Sequence, residues 1–348
     1  MIIEKKLSFI DKNNEIYEYT LKNNNGMRVN ILNLGGIITG IYIPDKNGVV
    51  ENVVVGWKNH EEYKDDNGCT GAIVGRTAGR IADGKITISG TSYDITKNSG
   101  KNTLHGGNIG FNKKVWNAST FESEEKVVLV LETLSEDGEE GYPGKVNVSV
   151  RYSLNNENEL SIEYCGTSDK DTLLNMTNHT YFNLSGDLKR SVLDQVLTIK
   201  GSNIGGLRED GALSGEVIDI KGTEFDFNSP KEIGRDINGE HKQLKLGNGY
   251  DHPWILDKGN QVKAKLEDRE SGRSMEVYTD REAVVVYTTN YPVDNKELYC
   301  GGFLKEKYGI CFETQSMPIG ENEAFIEGSI LKKGEEYKAT TTFKFINK

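Results

Sequence analysis

The side chains best suited to acid–base chemistry in this chain fall in a handful of short segments. One of them, Asn175 to Gly186 (NMTNHTYFNLSG), sets His179 among threonines, asparagines and aromatics with no acidic or basic neighbour. It pairs a proton-transfer group with hydrogen-bonding side chains and flat apolar faces, which suits a small polyhydroxylated ligand better than a charged one. A lone histidine is read first as a structural residue, so His179 gains a chemical meaning only from partners elsewhere.

Four further segments supply candidates. Gly75 to Gly84 (GRTAGRIADG) carries Arg76 and Arg80 on a glycine-punctuated loop. Both GxGxxG and GxxxxGK[ST] are missing, so a phosphate cradle is not supported, and Arg80 is either a structural arginine or a ligand contact. In Asn102 to Phe111 (NTLHGGNIGF), His105 precedes two glycines that allow close backbone approach. An esterase oxyanion loop also places glycines after a histidine, but it needs a GxSxG elbow, which is absent. Gly249 to Leu256 (GYDHPWIL) presents Asp251 and His252, and in Gly309 to Met317 (GICFETQSM) the run Ile310, Cys311, Phe312 delivers Glu313. A carboxylate leaving a buried strand is desolvated, which raises its pKa toward that of a useful base.

His105, His179 and His252 could in principle form a zinc site, but no HExxH or CxxC pair links them, and no metal is expected. Histidine plus carboxylate, drawn from distant strands, is a constellation for general acid–base catalysis without a cofactor.

The elements that must position these groups read as strands. From Lys145 to Leu154, Val146, Val148, Val150, Tyr152 and Leu154 alternate with polar residues; Asn155 to Glu159 is a turn, and Leu160, Ile162 and Tyr164 resume the pattern, predicting a hairpin. A second hairpin is predicted over Val262–Asp268 and Met275–Thr279. Further runs at Glu15–Leu21, Met27–Leu34, Ile37–Ile43, Asn52–Trp57, Val127–Thr133, Ala283–Thr288 and Tyr337–Phe345 give the strand spacing of an all-β protein. Helical stretches are few: Asn59–Lys64 and Pro230–Ile237. No linker or composition shift interrupts the pattern, so residues 1–348 are expected to form one large antiparallel β-sandwich domain.

Composition narrows the partners. A net charge of −11 argues against nucleic acid and anionic membranes, which need a basic face. The N-terminal stretch MIIEKKLSFIDKNNE has no apolar core of signal-peptide length, no segment approaches a membrane span, and four scattered cysteines without a CxxC pair fit free thiols. A cytoplasmic protein is expected.

Taken together, GRTAGRIADG, TLHGGNIGF, TNHTYFNLSG, GYDHPWIL and FETQSMPIG resemble, in order, the motifs of the galactose mutarotase (aldose 1-epimerase) family. The resemblance covers most of the chain from about residue 30, and it departs at Gly79, where the family commonly has asparagine. It implies a β-supersandwich with an open sugar cleft and interconversion of the α and β anomers of a free aldose such as galactose or glucose. Carried over by motif, Glu313 is the base that takes the anomeric hydroxyl proton and His179 the acid that protonates the ring oxygen. Arg80, His105 and Asp251 hold the sugar, and no metal, nucleotide or other cofactor is implied. Asn178 and Tyr181 would orient the imidazole; Tyr181, Phe182, Trp254 and Trp116 could stack on the sugar or pack in the core. Whether such a protein is a monomer or a homodimer stays open.

Two other readings compete. An epimerase of a hexose 6-phosphate would need several cations around the phosphate, against the acidic balance here. A sugar-binding module without catalysis would have no reason to keep both Glu313 and His179.

Overall fold

The structure is a computed structural model that describes residues 1–259, 261–292 and 295–347. Three antiparallel sheets dominate it. The first is a meander of five strands, Ile2–Asp11, Asn14–Lys22, Arg28–Leu32, Ile38–Pro44 and Val50–Asn52, each paired with its neighbour in sequence.

The largest sheet has nine strands, and its order is not sequential. Asn117–Glu122, Lys126–Ser135, Val146–Asn155 and Glu159–Ser168 run side by side; then Glu336–Asn347 inserts, followed by Arg273–Thr279, Ala264–Glu267, Val196–Ile199 and Lys231–Glu232. The third sheet has six strands, in the order Tyr181–Phe182, Ile310–Gln315, Ala283–Tyr287, Asp251–Leu256, Gly201–Leu207 and Leu213–Asp219. All three sheets contribute to one apolar cluster, for example through Val29 and Ile31, Val148 and Tyr152, and Trp254 and Phe312.

The period-two pattern is realised where it is strongest. The first hairpin pairs Val146–Asn155 with Glu159–Ser168 and sets Leu154 opposite Leu160; the second pairs Ala264–Glu267 with Arg273–Thr279. Helix is scarce. Asn59–Lys64 becomes a six-residue 3-10 turn, His60–Asp65, capped by the Asn59 side chain. Pro230–Ile237 becomes the short strand Lys231–Glu232 and a single turn, Ile233–Arg235. The α-helix found among the described residues is Lys242–Gly247, with the His241 ring accepting from the Gln243 N–H at its start.

One expected strand fails and one strand goes unforeseen, each for a physical reason. Asn52–Trp57 is not a strand: pairing ends at Asn52, and Val53, Val54, Val55 and Trp57 run on fully buried with only isolated bridges to Phe182 and Leu298. An apolar run buried all round carries no ladder signal of its own. Conversely, Ile2–Asp11 is a ten-residue edge strand with mostly exposed side chains, so it lacks a buried alternating face. No helix among the described residues is long and apolar enough to cross a membrane.

The six-stranded sheet matters most for chemistry, because its central strands divide their side chains between two environments. Trp254, Val284, Val286, Phe312 and Ile310 point into the main core. The alternating set, Asp251, Pro253, Val285, Tyr287 and Glu313, lines a cleft on the opposite face. Cross-strand register lines these residues up: Asp251 pairs with Tyr287, and Val285 with Glu313.

Candidate active site

The cleft encloses a cavity of about 250 Å³, just below the range of about 300–1,000 Å³ usual for ligand pockets. Its floor is the sheet face just described, and its walls are loops bearing Arg80, His105 and His179. The five expected site residues come from five separate motifs, and all five meet here.

Short ladders place the wall residues. Arg80–Ile81 pairs with Thr103–Leu104, which sets Arg80 opposite Leu104 and beside His105. Thr177–Asn178 pairs with Ile73–Val74, and the chain continues through His179, whose N–H donates to the Ala72 carbonyl at 2.9 Å while its carbonyl accepts from the Gly71 N–H at 2.9 Å. Asn178 helps indirectly: its side-chain amide donates to the Gly71 carbonyl at 3.0 Å, fixing the strand that carries His179 without touching the ring.

His105 is held in the left-handed region at φ 51°. Its N–H donates to the Gly79 carbonyl at 3.0 Å, and its Nδ1 accepts from the Gly79 N–H at 3.3 Å. A ring nitrogen that accepts carries no proton, so the His105 proton sits on Nε2, free for a ligand oxygen. The glycine after it is required by contact: a Cβ on Gly106 would lie 2.0 Å from the Gly75 carbonyl oxygen. Gly79, where an asparagine side chain would otherwise project, backs onto Pro318 and serves through its backbone instead.

At the centre, His179 Nε2 lies 3.3 Å from Glu313 Oε1, and both side chains are buried. Glu313 Oε2 has no hydrogen-bond partner among the described residues. The His179 ring lies against Tyr181 (centroids 4.9 Å) and meets His105 edge-on at 5.2 Å, while its Nδ1 is 3.4 Å from Cys311 Sγ. Arg80 donates to the Gly211 carbonyl at 3.4 Å and keeps a buried Nε without a partner.

Burial tunes these groups in opposite directions. It pushes the Glu313 carboxyl well above its ordinary range, helped by the nearby Asp251 charge and opposed by Arg80. It lowers His179 to about 4. His105 is lowered well below its usual value by burial, then by its neighbours His179 and Arg80. Asp251 is raised by burial, with Arg80 and Lys307 pulling the other way. Burial thus favours the neutral form of both the carboxyl and the imidazole.

Other residues named from sequence separate from the cleft. His252 is buried on the core side of the sheet, with Nε2 3.2 Å from Gln243 Oε1, so it cannot join His105 and His179 around a common ion. His105, His179 and Glu313 do offer ligand atoms within 4.8 Å of one another. Trp254, Trp116 and Phe182 are core residues, while Tyr181 does line the cleft. Arg76 is structural: buried, it donates to Ser135, Thr172 and the carbonyls of Pro143, Glu136 and Gly144.

Sequence reasoning missed Tyr287 and Tyr291, which complete the aromatic side of the cleft and are linked by the Tyr291 N–H donating to the Tyr287 hydroxyl at 2.9 Å. It also missed the contact of Cys311 with His179. The signal was present in both cases: Cys311 stands two residues before Glu313, and Tyr287 two residues after Val285, on strands whose side chains alternate.

Comparison with known proteins bears on the family and the fold. Residues 17–344 match the family model described as aldose 1-epimerase. The chain is 36% identical to galactose mutarotase of Bos taurus over 92% of its length and 91% of the relative's. It is 37% identical to aldose 1-epimerase of Haemophilus influenzae, covering 94% of each chain. The crystal structure of galactose 1-epimerase from Lactobacillus acidophilus superposes with a TM-score of 0.89 at 30% identity, over 99% of this chain and 98% of that one. Matched by the family model over residues 17–344 and by relatives at 36% and 37% identity over most of its length, this chain belongs to the aldose 1-epimerase family.

Proposed function

We propose that Glu313 and His179 carry the anomer interconversion of this epimerase, with galactose and glucose as the substrate type. One observation supports the assignment above the rest: the carboxylate and the imidazole meet at 3.3 Å at the buried floor of the cleft. They hold one transferable proton between them. In the competent state Glu313 is a carboxylate and His179 an imidazolium.

Glu313 takes the proton from the anomeric hydroxyl as His179 Nε2 gives one to the ring oxygen. The bond between C1 and the ring oxygen breaks, C1 becomes an aldehyde, and the pair is left as carboxylic acid and neutral imidazole. Rotation about C1–C2 presents the other carbonyl face. Reclosure then returns both protons and regenerates the starting pair. The opposing pKa shifts favour the ring-opening step, because burial disfavours the charged pair relative to the neutral one it becomes. Tyr181 and Tyr287 offer flat faces to the ring, while Arg80, His105 and Asp251 hold the hydroxyls and the ring-oxygen region.

A neutral sugar is favoured over a phosphorylated one. Among the described residues lining the cleft, Arg80 is the one Lys or Arg, set against Asp251 and Glu313. A phosphate usually requires several such groups. Comparing anomerisation rates of glucose and glucose 6-phosphate tests this, and a strong preference for the phosphate would overturn it. Polarimetry on freshly dissolved α-galactose tests the pair: Glu313→Gln is expected to abolish acceleration while sugar binding persists, and wild-type rates would remove Glu313 from the mechanism.

We read residues 1–348 as a single domain, on the support of the shared core. Four cysteines without a disulfide support a reducing, cytoplasmic setting.

A further inference from the structure

We infer that Cys311 is a positioning residue for His179: its thiol fixes the imidazole through Nδ1 and, as a weak hydrogen-bond partner, leaves the imidazolium a ready proton donor. The inference rests on the proposed role of His179 as the acid. Its geometric basis is the 3.4 Å contact between Cys311 Sγ and His179 Nδ1, with both side chains buried. Cys311 and Glu313 lie two apart on one strand, so a single element presents the base and the partner of the acid on the same face. Pairing of Tyr181 with Cys311 locks that strand to the segment carrying His179.

Among the described side chains, Cys311 is the one that reaches Nδ1; the backbone carbonyl of His179 also accepts from the ring. Around His179, Glu313 faces Nε2, His105 and Tyr287 meet the ring edge-on, and Tyr181 covers its face. Asp66, the other buried carboxylate nearby, is engaged by the Trp57 indole and by the N–H groups of Gly68 and Thr70. In many catalytic and metal-binding histidines, a carboxylate or carbonyl accepts from the second ring nitrogen, which raises the basicity of the first. A thiol does this weakly, and it can also donate weakly. Hence Cys311 can serve both protonation states: it accepts from Nδ1–H in the imidazolium, and it still accepts from Nδ1–H in the neutral ring once Nε2 has surrendered its proton to the ring oxygen. Burial holds the thiol protonated, so no thiolate competes for that proton.

The test compares Cys311→Ala, which removes the partner, with Cys311→Ser, which substitutes a stronger one. Ring 15N NMR of His179 reads the contact directly; polarimetric kcat, KM for galactose and the acid limb of the pH profile read its consequence. For Cys311→Ala, the expected result is a loss of about 10- to 100-fold in kcat at nearly unchanged KM, with a redistributed ring tautomer. For Cys311→Ser, a defined tautomer and much of the rate should return, with the acid limb displaced upward because the hydroxyl stabilises the imidazolium. Thermal melts confirm that both variants fold. Wild-type tautomer, kcat and acid limb in the alanine variant overturn the inference, as does serine behaving like alanine in all three. A failed acid assignment is distinguished by His179→Asn, which would then retain activity whatever Cys311 does.

Discussion

His179 and His252 are both deeply buried histidines packed among aromatics, and burial lowers both, to about 4 and about 3. One faces the cleft, 3.3 Å from Glu313; the other faces the core, its ring nitrogens occupied by Gln243 and by the N–H of Asp251. The same contrast separates two buried carboxylates. Asp66 accepts from three donors, whereas Glu313 keeps one oxygen without a partner. Perturbation alone therefore does not mark the functional group. What marks it is an unspent hydrogen-bonding valence that opens onto space a ligand can fill.

Substitutions on the cleft side should be the most damaging to rate. Glu313→Gln removes the base while keeping shape, and a loss of at least about 10²- to 10⁴-fold in kcat is expected from polarimetry. Retained activity would erase the distinction drawn between Glu313 and Asp66. His179→Asn should follow closely. His252→Asn should instead cost about 1–3 kcal/mol of stability by denaturant titration, with kcat of the folded fraction near wild type. Asp251→Asn is expected chiefly to raise KM, by about 10-fold for a lost charge-assisted hydrogen bond to a hydroxyl.

Acid titration should separate the histidines further. Both have folded pKa values below the unfolded value of about 6.5, so the stability each gains by staying neutral is present above that pH and is lost as pH falls toward about 4 for His179 and about 3 for His252. Glu313 has the opposite sign: its raised pKa adds stability below the unfolded value of about 4.3 and loses it as pH rises through the folded value. Activity should fall as pH drops toward about 4, since the pair then holds two protons and has no base. His252→Asn should diminish the acid loss of Tm without moving that activity limb; a moved limb would link the two faces. The smallest effects are expected at His60→Asn and His241→Asn. His241 caps the helix Lys242–Gly247, and asparagine is itself a good cap.

How much of this the chain announces depends on the residue. Glu313, His179, His105, Asp251 and Arg80 were legible because each stands in an ordered, chemically unusual motif. Their convergence on one cleft was not, since ladders as short as Arg80–Ile81 with Thr103–Leu104 leave no periodic trace. Tyr287 and Cys311 look like ordinary members of apolar strands until cross-strand register sets Tyr287 on the cleft and Cys311 against His179. The same limit applies to the fold. Strands with one wet face, such as Val146–Asn155, declare themselves, while the exposed edge strand Ile2–Asp11 and the buried run after Asn52 do not.

The strand Glu336–Asn347 lies between Glu159–Ser168 and Arg273–Thr279, bridging partners far earlier in the chain; Lys344 and Glu159, which it brings together, are 185 residues apart. Such distant pairing delays folding, because a long loop must close before these two ladders form. While a nascent chain awaits that strand, the flank of Glu159–Ser168 is an open edge with unpaired amides and carbonyls, a template for association with other chains. Synthesis in the cell thus exposes this protein to a window of aggregation that ends only when its late strand arrives, and chaperone dependence is the expected cost of that topology.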